Sequence, residues 1–311
     1  MKKLLIYIPS YNRYDLLVRQ LTALAQAIEE NEIENISIAV SDNASTDERY
    51  QQLKNVFPQT HISISRNDVN LGLVGNLIHG FEQKGWDYIW LLSDDDVTDP
   101  SALSIVSKEI EVGEHDFYYL KCNIKGDEKV TGGEVISSQI EYFQKFTTWS
   151  MMGLMSANIY SSRIKGQIEY MYLYGYTLFP FLAGVIRIMN TGRFSLKCIG
   201  GNLLEWKPNR ISYSHIYEMA LTNVLFLAEL IEDKANRNLF VSKHISDFGV
   251  SHFIPMAFKN SYNLRKAWTQ VGLSGLMLAG FYYIRWQAQR VGRYIIRKIN
   301  PNNRIETERK L

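Results

Sequence analysis

The chain has 311 residues, 46% hydrophobic and 13% aromatic, which suits one large packed domain or a domain with an appendage and excludes a disordered chain. Two cysteines, Cys122 and Cys198, exclude a disulfide framework and a cysteine cluster for metal, and favour a reducing compartment. The net charge of +2 hides an asymmetry: residues 259–311 hold eleven Lys or Arg and two Glu, leaving 23 basic and 30 acidic groups elsewhere, so a basic tail follows an acidic body.

Lys2-Lys3 precedes the apolar run Leu4 to Ile8, which reads as a strand; five residues ending at Pro9 are too few for a secretory h-region. Tyr14 to Glu30 has helical spacing, with Leu17, Leu21, Leu24 and Ile28 on one stripe. Ile36 to Val40 reads as a second strand, His61 to Ser65 as a third, Leu73 to Gln83 as a helix and Tyr88 to Leu92 as a fourth, buried strand. This alternation predicts an α/β fold, a mostly parallel sheet with helices on both faces. Ala102 to Glu111 then reads as a helix, Phe117 to Cys122 as a strand, Thr131-Gly132-Gly133 as a turn and Tyr217 to Glu232 as a helix. No stretch reaches the ~18 uninterrupted apolar residues of a spanning helix.

The chemistry-bearing residues fall at the strand ends. Ser93-Asp94-Asp95-Asp96 closes the fourth strand, and three adjacent carboxylates are tolerable if a cation neutralises them; hard carboxylate oxygens suit Mg²⁺ or Mn²⁺. The alternative is a solvated acidic turn, which Asp99-Pro100 also fits. In open α/β sheets ligands bind outside the carboxyl ends of strands. Pro9-Ser10-Tyr11-Asn12-Arg13 follows the first strand: Tyr11 could stack on a base while Ser10, Asn12 and Arg13 meet ribose and phosphate, or Ser10 or Asn12 could simply cap the next helix. Asp42 ends the second strand, where it can accept a hydrogen bond from a ribose or an imide N–H; Thr46 or Asp47 can cap the helix after it. Beyond the third strand, Gly72 and Gly75 permit close backbone approach to a ligand or tight helix packing, and Asn76 comes next. The chain carries no G-x-G-x-x-G, Walker or calcium-loop motif and no base-reading module, so nucleic acid is not an expected partner.

Pro-Ser-Tyr-Asn-Arg, Ser-Asp-Asn-Ala-Ser-Thr-Asp, Asn-x-Gly-x-x-Gly-Asn and Leu-Ser-Asp-Asp-Asp, in this order at successive strand ends, resemble glycosyltransferase family 2, and within it the bacterial surface-polysaccharide transferases of the abequosyltransferase-like group. The resemblance is strong over residues 3–100 and loose over 150–210. It implies a GT-A fold, a nucleotide-sugar donor, a glycan or lipid-linked acceptor and a Mn²⁺ or Mg²⁺ cofactor. It places Pro9, Ser10, Tyr11, Asn12 and Arg13 along the nucleotide, Asp42 on the base, and Gly72, Gly75 and Asn76 beside the nucleotide. The family writes its metal motif Asp-x-Asp-Asp; aligning the last pair makes Asp95 the main metal ligand, with Asp94 reaching ribose or metal and Ser93 where an Asp usually stands. The family's catalytic base would fall in Tyr176 to Phe181, which has no carboxylate, so Glu169 and Glu205 are the candidates. Gly153 to Asn158 resembles the acceptor-side lining, and Trp206 or the Tyr170–Tyr176 aromatics could stack on sugars or pack in the core. The missing base also keeps open a catalytically silent nucleotide-sugar-binding or membrane scaffold protein.

Residues 271–284 form an apolar block, followed by a helical stripe of Ile284, Ala288, Val291, Ile295 and Ile299 with Arg290, Arg293 and Arg297 opposite. Such a helix suits an anionic membrane surface, or it packs on the body with a solvated basic face. The expected organisation is a GT-A domain over 1–258, with a nucleotide-binding half (1–100) and an acceptor half (101–258), then a basic amphipathic helical tail over 259–311. Donors linked to UDP, CDP or dTDP and a cytoplasmic location, peripheral on the inner face of the cell membrane, are the matching expectations.

Overall fold

The computed structural model describes residues 1–122, 124, 126–147, 151–206 and 223–248, with side chains to residue 244. The tail expected over 259–311 lies outside these. Leu4–Ser10 forms β1, whose residues 4–8 are all buried, as in a strand covered on both faces. α1 (Tyr14–Glu30) turns Leu17, Leu21, Leu24 and Ile28 into the core, the stripe expected from the spacing. β2 (Ile36–Asp42) pairs parallel with β1. A 3₁₀ turn (Glu48–Gln52) and the single-turn α2 (Leu53–Val56) lead to β3 (Ile62–Arg66), parallel to β2. α3 (Gly72–Glu82) then carries the chain back to β4 (Tyr88–Leu91), which adds parallel to the other side of β1.

After β4 come β5 (Val97–Thr98), α4 (Ala102–Val112), β6 (Phe117–Leu120), β7 (Val135–Ile136), α5 (Gln139–Lys145) and β8 (Asn158–Ser161). The chain continues through α6 (Ile168–Leu173), α7 (Pro180–Met189), β9 (Leu196–Ile199), β10 (Leu204–Glu205) and α8 (Lys234–Phe248). Eight strands make one sheet in the order β3-β2-β1-β4-β8-β6-β9-β7. β8 runs antiparallel to β4 and β6, β7 runs antiparallel to β9, and the other pairs are parallel. α1 packs with α4, and α3 with α6 and α7. The crossovers β1-α1-β2 and β3-α3-β4 move in opposite directions along the sheet, so a common right hand puts α1 and α3 on opposite faces. The result is the mostly parallel mixed sheet flanked by helices that the alternation predicts. β5 and β10 pair as a separate antiparallel ribbon.

Two local expectations are corrected. Ser10 and Asn12 do not cap α1: Arg13 stands at the N-cap with no side-chain cap bond, and its N–H is taken by the Tyr50 hydroxyl at 2.9 Å. The helix expected over Tyr217 to Glu232 is, in its described part, a 3₁₀ run over Val224–Leu230. Val224, Leu225, Phe226, Leu227, Ala228 and Leu230 are all buried and Glu229 alone is exposed, so the run has a single polar position rather than the polar face of an amphipathic α-helix. Asp233 then starts α8 by accepting from Asn236 N–H at 2.7 Å, a cap preceding a helix whose apolar residues form no clear stripe in the sequence.

α3 rides directly on β1. A Cβ added at Gly80 would lie 2.6 Å from Tyr7 Cδ1, while one turn earlier the Tyr7 hydroxyl donates to the Asn76 carbonyl at 3.0 Å. Gly80→Ala is therefore expected to overpack this contact and cost about 1–3 kcal/mol. Urea unfolding reads this as a lower midpoint with an unchanged slope.

Candidate functional site

The carboxyl ends of β1 to β4 share one sheet edge. Ser10, Asp42 and Arg66 stand level across β1, β2 and β3. β4 delivers Ser93 to Asp96 beside them, with Leu92 N–H bound to the Tyr7 carbonyl at 3.0 Å. Side chains sew the turns together. Asn12, at a left-handed φ of 53°, donates its N–H to Ser45 Oγ at 2.9 Å and accepts from Thr46 N–H at 2.8 Å. Asn43 Oδ1 accepts from Leu71 N–H and from Asn67, and its amide donates to Asn70 Oδ1 at 2.8 Å. Gly72 opens α3 at a φ of 71° with nothing within 4 Å of a would-be Cβ, so glycine serves the turn and leaves open space there. A Cβ on Gly75 would meet the Leu71 side chain at 2.9 Å, which fits tight packing of the first turn of α3.

The three aspartates are buried, Asp94 and Asp96 at 2% exposure and Asp95 at 9%. Arg13 Nη1 donates to Asp94 Oδ1 and to Asp95 Oδ2, both at 3.0 Å. Ser10 Oγ donates to Asp94 Oδ2 at 2.7 Å, and Ser93 Oγ to Asp95 Oδ1 at 2.5 Å. Burial pushes the Asp94 carboxyl above its usual range, while the Arg13 charge and the Ser10 hydroxyl pull it back. One guanidinium nitrogen thus bridges two carboxylates and offsets part of their charge. Among the described residues no group of three or more His, Cys, Asp or Glu side chains could hold a metal ion. One or two carboxylates, with the other positions filled by phosphate and water, is nonetheless how Mg²⁺ is usually held in phosphate chemistry. Hard oxygens on two adjacent carboxylates that already share a cation fit a Mg²⁺ or Mn²⁺ ion.

Asp42 is also buried; Ser45 N–H donates to its Oδ1 at 2.9 Å and Arg66 Nη1 to its Oδ2 at 2.7 Å. Asn76 is buried too, accepting from Ser41 Oγ at 2.6 Å and from Asn67, so it holds the β2 and β3 ends to α3. Pro9 is half-buried and Tyr11 is 42% exposed at the rim. Asn43 and Ser45 stand in the motif that carries the resemblance but have no role assigned by it, while Tyr50 and Arg66 lie outside every motif read from the sequence. Arg66 was within reach, as the last residue of a parallel strand beside Asp42. Tyr50, which hydrogen-bonds Ser10 Oγ at 2.7 Å from a 3₁₀ turn, carries no periodic signal.

The two base candidates separate. Glu205 lies on β10 with its backbone paired to Val97, the residue after Asp96, and so stands beside the aspartate turn in the chain. Glu169 starts α6, and the segment before it lies at the other end of β4, with Ser162 N–H on the Asp87 carbonyl at 2.7 Å and Lys165 over Trp86. Ser156, in the segment expected to line the acceptor, is fully buried: its Oγ accepts from Ser93 N–H at 3.0 Å and its carbonyl from Trp90 Nε1 at 2.7 Å. It fixes the start of the aspartate turn. Trp206, Tyr172 and Tyr176 are exposed, and Tyr176 packs edge-on to Phe226. No helix among the described residues is long and apolar enough to cross a membrane.

The family model described as "Glycosyl transferase family 2" matches residues 5–169, more than half of the chain. No curated protein sequence matches the chain. Among solved structures it is similar to S. aureus TarS 1–349 in complex with UDP-GlcNAc, at a TM-score of 0.55 and 14% identity over 78% of this chain and 73% of that one. It is also similar to the mannosyltransferase PcManGT from Pyrobaculum calidifontis in complex with GDP-Man and Mn²⁺, at a TM-score of 0.57 and 11% identity over 90% and 79%. At these identities the likeness shows the fold.

Proposed function

The chain belongs to glycosyl transferase family 2 and is a glycosyltransferase of GT-A-like fold, and from that premise we propose that it transfers a sugar from a nucleotide donor to a glycan or lipid-linked acceptor in bacterial surface polysaccharide synthesis, using Mg²⁺ or Mn²⁺ at Asp95 and Asp94. The observation that carries this reading is the pair of buried carboxylates bridged by Arg13 beside the Ser10 and Asp42 turns. The nucleotide sugars and Mn²⁺ held by the two similar structures support it.

Tyr11 would stack on the base, Asp42 accept from it, and the 66–72 turn with Gly72 leave room for the nucleotide. Asp95 would be the main metal ligand and Asp94, tied to Ser10, the second. When bound, the cation would neutralise the charge that grows on the departing diphosphate. The acceptor hydroxyl must lose its proton to a base, and Glu205, at the aspartate edge, is the carboxylate proposed for it. A screen of UDP-, CDP-, dTDP- and GDP-sugars with Mn²⁺ tests the reading: nucleoside diphosphate release from at least one donor is expected. Tight binding without turnover of any donor or acceptor would favour the silent scaffold instead, which the carboxylate-free start of α7 suggests.

The basic tail over 259–311 is proposed as a separate helical unit that holds the enzyme on anionic lipid at the inner face of the membrane. Its charge predicts flotation of the intact chain with phosphatidylglycerol vesicles at low salt. Binding should fall as salt rises, since screening sets in beyond roughly 8 Å at physiological ionic strength, and should be lost on removing residues 271–311. No flotation at low salt would end this part of the reading.

A further inference from the structure

Arg13 spans the gap in which the cation would sit. Its Nη1 lies 3.0 Å from Asp94 Oδ1 and 3.0 Å from Asp95 Oδ2, while the other oxygen of each carboxylate is taken by a serine hydroxyl. A guanidinium nitrogen and a divalent ion compete for the position between those two oxygens: both are positive, and like charges a few ångströms apart in a buried site repel by several kcal/mol. The aspartates, however, cannot stand uncompensated when no metal is present, because removing the partner of a buried charge is strongly destabilising. The Arg13 side chain is 23% exposed, against 3% and 11% for its partners, and it projects from the turn after β1, at the edge where the nucleotide reading puts the diphosphate. Its planar fork of donors matches phosphate oxygens as well as carboxylates.

We infer that Arg13 is an exchangeable counter-ion: it is the shared partner of Asp94 and Asp95 in the empty site, yields them to the metal, and moves to the donor diphosphate. This rests on the reading of Asp94 and Asp95 as the metal site. Arg13 then opposes metal binding in the free enzyme and assists it once a diphosphate is there to receive the guanidinium. Metal and nucleotide would enter as a pair, and free metal would be held weakly.

The test is Mn²⁺ binding followed by electron paramagnetic resonance on the intact chain, with Mn²⁺ alone and with UDP or GDP added. Arg13→Met removes the competitor, so Mn²⁺ alone is expected to bind about tenfold or more tighter than to wild type, a change of about 1.4 kcal/mol. Arg13→Gln, which keeps a donor for the carboxylates and guards against misfolding of the first variant, should tighten it in the same direction. Arg13→Lys keeps the charge and should leave free-metal binding near wild type. Metal-free Arg13→Met should also melt below wild type, and added Mn²⁺ should recover more of its Tm than it adds to wild type. Equal or weaker free-metal binding by Arg13→Met and Arg13→Gln, with wild type still binding Mn²⁺ alongside UDP or GDP, overturns the exchange and leaves the metal site standing. No Mn²⁺ binding by any of these proteins, with or without nucleotide, overturns both.

Discussion

Asp95→Ala should lower donor turnover by about 10²–10³-fold or more, the scale on which a single group that stabilises charge in the transition state acts. The loss should fall in the metal-dependent step, so Mn²⁺-dependent nucleotide binding disappears with it. The fold should survive. Asp95 makes two side-chain bonds, to Ser93 Oγ and Arg13 Nη1, and Arg13 retains Asp94 as its partner in the variant. Removing one of three adjacent carboxylates also relieves repulsion. Circular dichroism and thermal melting should therefore stay close to wild type while turnover collapses. Asp95→Asn separates charge from shape: it keeps an oxygen for Arg13 and should be nearly as inactive. Wild-type-like turnover in Asp95→Ala would remove the aspartate from the chemistry.

The second large effect is expected at Asp42. Its carboxylate holds the Ser45 N–H at 2.9 Å and pairs with Arg66 at 2.7 Å. Asp42→Ala strips a buried N–H of its acceptor, at about 1–3 kcal/mol of stability. Arg66, half-exposed, can turn to water and adds little to that loss. Asp42→Asn is the cleaner variant. An amide oxygen still accepts from Ser45, so stability should be largely kept, but the group offered to the base loses its charge and half its accepting capacity. On the proposed reading, binding of the pyrimidine nucleotide should weaken about 10–100-fold, as for a lost charged hydrogen bond of about 1.5–3 kcal/mol. Calorimetry with UDP, CDP, dTDP and GDP measures it. Unchanged affinities in Asp42→Asn would take the base contact away from this residue.

The first hundred residues were legible because each element there has a simple signature. The run Leu4 to Ile8 is apolar, Leu17 to Ile28 keeps a helical period, and each strand ends in polar residues that the parallel register brings level, as with Ser10, Asp42 and Arg66. The aspartates needed no more than their place after Tyr88–Leu91. The later half was less legible. β8 and β9 are four residues each and lie apart in sequence from the strands they join, so only long-range pairing defines them. Val224–Leu230 is apolar at every position but Glu229 and α8 is polar without a stripe, so periodicity misleads for the first and is silent for the second. At the site, what could not be read was partnership. That Ser10 binds Asp94, that Arg13 lies between two aspartates and that Asn76 is buried under the turns are facts of packing between segments 35–84 residues apart. Composition and spacing hold no record of them.

The most direct test is calorimetric titration of the intact chain with UDP, CDP, dTDP and GDP, in Mn²⁺ and again in EDTA. A nucleotide-sugar transferase that reads its base through Asp42 and its diphosphate through a cation held by Asp94 and Asp95 predicts tight binding of a pyrimidine nucleoside diphosphate in Mn²⁺, lost in EDTA. Equal binding with and without the metal, or tight GDP binding with no pyrimidine binding, would contradict it.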